Sequence, residues 1–184
     1  MANIIQKQQE FMLAYQACHE PFIKYCSALA YGYVETEDLV QDVLLSAFTH
    51  WEKIKRKDQL LHYLIRAARN RSISLRRKYR HKVDLANRQA ASLQAKGISP
   101  EMVLDIQLLY WAINQLSASQ KEALVLFEIT GFSIKEIASI QKSSLSAVKT
   151  RLSRARQNLK KEMDKKASSH SILAILSTAK TILL

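Results

Sequence analysis

The chain has 184 residues, about one to one-and-a-half average domains, which excludes a large multi-domain enzyme. Three Gly and two Pro are too few for the tight turns of an all-β sandwich or barrel. Hydrophobic residues at 48% and charged residues at 24% give a globular balance, and a net charge of +12 points to a polyanionic partner.

That charge is unevenly placed. Residues 1–52 hold Lys7 and Lys24 against seven carboxylates, whereas residues 53–82 hold twelve Lys and Arg against Asp58 alone. Residues 83–141 are near neutral, and residues 142–184 hold ten Lys and Arg against Glu162 and Asp164. Two separate cationic blocks predict two sites for a phosphate backbone, and the acidic block leaves a surface for a partner other than nucleic acid. Cys18 and Cys26 are too few for a disulfide framework, which fits a reducing compartment. The first residues lack the basic segment and apolar core of a secretory leader, and no apolar run reaches membrane-span length. A soluble cytoplasmic protein without stable membrane insertion is the expectation.

In chain order, Phe11, Ala14, Tyr15 and Cys18, then Phe22, Ile23, Cys26, Leu29 and Ala30, predict two helices, with Pro21 opening the second and Gly32 ending it. Thr36 is the expected N-cap of a third, with Glu37 and Asp38 in its first turn where the helix dipole favours anions. Leu39, Val40, Val43, Leu44, Ala47, Phe48 and Trp51 trace its apolar face. A basic connector, Lys53 to Lys57, leads to Asp58 as the expected cap of the next helix. That helix is predicted to bury Leu61, Leu64, Ile65, Ala68 and Leu75 and to expose Arg66, Arg69, Asn70, Arg77 and Arg80.

Residues 83–99, rich in Ala, Gln and Asn, are expected to be a linker with some helical tendency. Ser99-Pro100-Glu101 is a helix start, and Ser117-x-x-Gln120 and Ser133-x-x-Glu136 are capping boxes. Between the boxes, Gly131 can supply a left-handed helix end. Ser133 to Lys161 has the layout of a helix-turn-helix: a short helix, a tight turn, and a longer basic helix from about Ser144. With Val148, Leu152, Ala155 and Leu159 facing inward, Ser146, Lys149, Thr150, Ser153 and Arg154 face out, a set able to bond base edges. Arg151, Arg156, Lys160 and Lys161 lie to the sides and are expected to meet phosphates. The fold class is all-α: two small helical domains, at 1–82 and 100–166, joined by a linker, with the helix-turn-helix in the second.

No metal-ligand spacing, catalytic pairing or Gly-rich phosphate loop stands out, so no cofactor, metal or enzymatic activity is expected. The tail, 167–184, places Ile172, Ile175, Leu176, Ala179 and Leu183 on one helical face. An extra helix packed on the second domain is the first expectation for it; a protein contact and weak membrane-surface binding are the others.

The chain resembles bacterial RNA polymerase sigma factors of the compact, two-domain extracytoplasmic-function (ECF) class. The matching stretches are Glu37-Asp38-Leu39-Val40-Gln41-Asp42-Val43 and Leu64-Ile65-Arg66-Ala67-Ala68-Arg69-Asn70 in the first half. In the second they are Leu116-Ser117-Ala118-Ser119-Gln120, Phe132-Ser133-Ile134-Lys135-Glu136-Ile137-Ala138, and Ala147-Val148-Lys149-Thr150-Arg151-Leu152-Ser153-Arg154-Ala155-Arg156. Three positions depart from the usual pattern: Tyr63 for Trp, Ser117 for Pro and Lys121 for Arg.

The resemblance implies a transcription initiation factor whose partners are core RNA polymerase and promoter DNA, with an anti-sigma protein as a further partner of the class. It assigns core-polymerase binding to Asp38, Leu39, Gln41 and Asp42. It assigns minus-ten reading and melting to Lys53, Lys55, Arg56, Lys57, Arg66, Arg69 and Asn70, and minus-thirty-five reading to Ser146, Lys149, Thr150, Arg151, Ser153 and Arg154. A melted strand needs a cationic track and room for an unstacked base, which the connector between two helices can provide. Trp51 and Tyr63 are candidates for base stacking, although an aromatic at the end of an apolar face is more often core. The competing reading is a stand-alone helix-turn-helix regulator whose first domain dimerises or binds an effector.

Overall fold

The computed structural model describes residues 2–78, 83–95 and 97–165. Arg80 and the 167–184 tail lie outside the described residues, so the expectations placed on them are not taken further. Every regular element among the described residues is helical. The chain divides into two compact units, Met1–His81 and Lys82–Leu184.

In the first unit, helices α1 (Ala2–Gln16) and α2 (His19–Ala30) follow the predicted pair. Pro21 falls in the first turn of α2, where its missing N–H costs no intrahelical bond. Gly32, at φ +76°, ends that pattern in the left-handed region open to glycine. Helix α3 (Thr36–Thr49) begins one residue earlier than expected: Glu35 is the N-cap and Thr36 is already helical. Glu37 and Asp38 keep their places in the first turn. Two 3-10 turns, Trp51–Lys53 and Lys57–Gln59, lead into α4 (Leu60–Lys78). Asp58 does not cap α4. It lies inside the second turn, and its carboxylate accepts from Arg56 at 3.3 Å.

Helix α4 packs on α2 and α3 and buries the apolar stripe Leu60, Leu64, Ile65 and Ala68, as α2 buries Phe22 and Tyr25 and α3 buries Leu39 and Val43; Leu61 and Leu75, expected in this stripe, are only half-buried. Phe11 and Trp51 meet edge to face at 5.2 Å and 88°. Aromatic pairs of that geometry add about 0.5–1.5 kcal/mol beyond the burial of their area.

In the second unit, the segment expected to be a linker is mostly helix α5 (Val83–Ala95). Leu85, Ala86, Ala90 and Leu93 are buried, and α5 packs on α6 (Pro100–Gln115). Four small apolar residues at helical spacing make a stripe narrow enough to be overlooked in an Ala- and Gln-rich run, yet sufficient once a neighbouring helix covers it. Ser99 caps α6 as expected, accepting from Met102 N at 3.3 Å with Pro100 at the first helical position.

Helix α7 (Ala118–Leu124) continues into a π-helical turn over Val125–Ile129, closed by Thr130 N donating to Val125 O at 3.1 Å. Ser117 holds the N-cap position of α7 but makes no side-chain cap bond, so the first expected capping box does not form. The second does. Ser133 accepts from Glu136 N at 3.3 Å while the Glu136 carboxylate accepts from Ser133 N at 2.8 Å, opening α8 (Ile134–Gln141). Three residues then lead to α9 (Leu145–Asp164). Lys142 turns the chain at φ +49°, and Ser144 caps α9 by accepting from Ala147 N at 3.2 Å.

The two serines predict different costs. Ser133→Ala should lower unfolding stability by about 1 kcal/mol, the usual loss of a side-chain cap. Ser117→Ala should cost clearly less. Urea denaturation of the two variants checks the difference, and equal losses would contradict the capping geometry.

Candidate nucleic-acid and protein interfaces

Helix α9 is held by one side. Val148, Leu152, Ala155, Leu159 and Met163 are buried against α6, α7 and α8. Burying a Val, Leu or Met side chain contributes about 1.5–3 kcal/mol as an upper estimate, so this stripe fixes the helix firmly. The remaining turns present Ser146, Lys149, Thr150, Ser153 and Arg154, all exposed, as the sequence predicts. A concavity of about 420 Å³ runs beside them, lined by Ser119, Gln120, Ser146, Thr150, Arg151 and Arg154 among others.

Two flanking arginines have partners within the chain. Arg151 is half-buried; its guanidinium donates to Gln141 Oε1 and, at 3.3 Å, to Ser143 Oγ. It belongs to the turn between α8 and α9 rather than to the free reading face. Arg156 donates to Glu128 at 2.6 and 2.8 Å and lies over the Phe127 ring at 5.4 Å, so in the free chain its guanidinium is held in an intramolecular ion pair. The missed signal was in the neighbours: Gln141, Ser143 and Glu128 are polar groups within reach of a helix whose arginines lie off its outermost line.

In the first unit, Lys53, Lys55, Arg56 and Lys57 are exposed around the two 3-10 turns, and Arg66 and Asn70 are exposed on α4, with Arg69 half-buried. Two of the connector cations have partners. Arg56 pairs with Asp58 at 3.3 Å; Lys57 reaches back to Glu10 of α1 at 3.2 Å and stands over the Trp51 ring at 4.7 Å. Trp51 itself is 1% exposed. It is core, as its place at the end of an apolar face predicts, and has no face open to a base. Tyr63 is half-buried. A groove of about 590 Å³ opens beside the connector between α1 and the start of α4, lined by Glu10, Leu13, Trp51, Lys57, Leu60 and Leu61 among others.

The acidic face lies on α3. Asp38, Gln41 and Asp42 are exposed, three and four residues apart and therefore on one side of the helix. Leu39 corrects the prediction: at 0% exposure it is core and has no surface to offer a partner. Its place on the exposed side is taken by Leu45, 67% exposed and two turns beyond Asp38. Leu45 lies off the apolar stripe of α3, which was the available signal. Asp42 also accepts from Arg71 of α4 at 2.6 and 2.8 Å, tying the acidic helix to the basic one.

Burial pushes the Cys18 thiol up to about 11 and that of Cys26 higher still, so neither is a reactive thiolate. Among the described residues no group of three or more His, Cys, Asp or Glu is placed to hold a metal ion, and no helix is long and apolar enough to cross a membrane.

With this geometry in place, comparison with known proteins is informative. Residues 14–82 match sigma-70 region 2 and residues 106–159 match sigma-70 region 4. The ECF RNA polymerase sigma factor EcfG of Rhodopseudomonas palustris is 30% identical over 123 residues, covering 67% of this chain and 68% of that protein. SigM of Bacillus subtilis, also an ECF RNA polymerase sigma factor, is 29% identical over 126 residues, covering 67% and 77%. Among solved structures, the sigma factor RpoE in complex with the anti-sigma factor NepR from Bartonella quintana superimposes with a TM-score of 0.58 at 27% identity, covering 87% of this chain and 98% of that one. CnrH, in complex with the cytosolic domain of CnrY, shares the fold with a TM-score of 0.63 at 22% identity, covering 91% and 100%.

The Glu10–Lys57 pair has a pH signature. The hydrogen bond and charge of Lys57 hold the Glu10 carboxyl below the ordinary carboxylate range. A lowered native value means that the pair stabilises the fold above the unfolded-state value and that this contribution is lost as pH falls through the native one. In Lys57→Met the Glu10 carboxyl should titrate closer to its ordinary value, as read by NMR. An unchanged midpoint would show that the pair does not form in solution.

Proposed function

Because this chain belongs to the sigma-70 family, as an ECF RNA polymerase sigma factor, we propose that its role as a transcription initiation factor is carried by three surfaces. The exposed face of α3, with Asp38, Gln41, Asp42 and Leu45, docks on core RNA polymerase. The connector and α4, through Lys53, Lys55, Arg56, Lys57, Arg66, Arg69 and Asn70, read and help to melt the minus-ten region. Helix α9 reads the minus-thirty-five element with Ser146, Lys149, Thr150, Ser153 and Arg154. The factor works in the cytoplasm and contributes binding energy rather than catalysis; an anti-sigma protein of the kind bound to RpoE is a further partner.

The observation that carries this reading is that opposite charges are carried by different helices, each on its exposed side. On α3 the carboxylates are exposed and the apolar stripe is buried; on α9 the hydroxyl and cationic side chains are exposed and the apolar stripe is buried. Carboxylates repel a phosphate backbone, so the α3 face suits a protein, and a mixed apolar and charged patch such as Leu45 beside Asp38 and Asp42 suits a protein groove. Hydroxyls, Lys and Arg on one helical face suit base edges in a major groove.

The experiment is reconstitution: the purified chain is added to core polymerase and promoter-specific transcripts are sought. Tight binding to a palindromic operator with no dependence on polymerase would favour the stand-alone regulator. Asp38→Arg should abolish core binding while leaving the chain's own affinity for duplex DNA intact, and loss of both would mean misfolding. Removing Lys55, Arg56 and Lys57 together should lower the slope of log affinity against log salt on an opened promoter by about two to three units if all three touch phosphate. An unchanged slope takes them off the DNA path.

A further inference from the structure

We propose that Gln141 is a specificity-determining residue that withholds the Arg151 guanidinium from the DNA backbone, making Arg151 a positioning group for α9 instead of a phosphate contact. The proposal rests on α9 facing DNA.

By helical spacing Arg151 belongs at the edge of the reading face, next to Thr150 and one turn before Arg154, where a cation would ordinarily meet phosphate. Its guanidinium is turned inward, onto Gln141 Oε1 and Ser143 Oγ. The other end of the Gln141 amide points to α7: its nitrogen donates to Glu122 Oε2 at 2.9 Å and to the Ser119 carbonyl at 3.1 Å. Glu122 is 4% exposed. A guanidinium, an amide and a buried carboxylate therefore run in line from α9, through the last residue of α8, to α7.

An amide offers an acceptor at one end and a donor at the other, so Gln can bridge a cation and an anion where Leu, Lys or Glu cannot. Bonds in such a line polarise one another. The positive charge of Arg151 is thus answered inside the fold. Drawing it out to a phosphate would cost Gln141 Oε1 and Ser143 Oγ this donor, in a partly buried site where unmade bonds are expensive. The same line ties the second turn of α9 to the end of α8 across the bend where Lys142 has φ +49°.

The consequence is selectivity. Each neutralised phosphate strengthens binding to any sequence and adds about 0.9 unit to the salt slope, whereas discrimination resides in base-edge contacts. Holding one arginine off the backbone lowers indiscriminate affinity and leaves Ser146, Lys149, Thr150, Ser153 and Arg154 exposed to read bases.

The test measures binding of the full chain to a labelled random-sequence DNA duplex across a salt series, with thermal melting as the check on folding. Arg151→Gln should keep the wild-type slope. Gln141→Ala should steepen it by about 0.9 unit as the freed guanidinium finds a phosphate, and the double variant should return to the wild-type value. A slope lowered by about 0.9 unit in Arg151→Gln, or an unchanged slope in folded Gln141→Ala, overturns the proposal; if Gln141→Ala does not fold, Arg151→Gln decides alone. Lys149→Gln combined with Arg154→Gln separates the two levels, read as affinity for the same duplex at one low salt concentration. If that pair leaves the affinity unchanged, α9 is not the DNA face and both readings fall. If the pair weakens binding and Arg151→Gln lowers the slope, only the role of Gln141 is lost.

Discussion

A helix that keeps one face cationic and exposed can be held in place only by the other, and this constraint shapes both units. Helix α9 keeps five apolar side chains, Val148 to Met163, in the core, while helix α4 keeps Leu60, Leu64, Ile65 and Ala68 there. Among the described side chains, everything cationic on these helices is thereby turned outward or into a specific pair. The anchoring stripes carry the stability and the opposite faces carry the charge, so a change on one side need not disturb the other.

Intramolecular contacts hold several of the outward cations in the free chain. Arg156 pairs with Glu128, Lys57 with Glu10 and Arg71 with Asp42, while Arg151 bonds to neutral oxygens around the turn before α9. Exposed pairs of this kind contribute little to stability, commonly under about 1 kcal/mol. Their effect here is on geometry: they fix where particular side chains lie in the free chain. The Asp42–Arg71 pair also links the acidic helix to the basic one, so the two surfaces of the first unit share a bond.

Helix-by-helix legibility followed the width of the apolar stripe. The stripes of α3, α4 and α9 repeat large residues every three or four positions, and most of their buried residues were readable in advance; the margins were not, since Leu44, Phe48, Leu61 and Leu75 are only half-buried while Leu60 and Met163 are core. Helix α5 was not, because Ala86 and Ala90 contribute little hydrophobic signal and only the covering surface of α6 makes Leu85 and Leu93 decisive. Capping was half legible. Ser133 and Glu136 close a reciprocal box, but Ser117 has the same pattern with Gln120 and makes no side-chain cap bond, since a cap depends on the side-chain rotamer as well as on residue type.

The composition and order of residues by themselves determined the all-helical class, the two cationic blocks, the acidic third helix, and the exposed set of Ser146, Lys149, Thr150, Ser153 and Arg154. These follow from helical period and charge, which are local properties of the chain. Tertiary packing decided the rest: that Lys57 lies over Trp51, that Asp42 meets Arg71, and that Arg151 turns inward to Gln141. Each depends on which neighbour lies within a few ångströms, and residues far apart in sequence, such as Glu10 and Lys57, become neighbours only when helices pack.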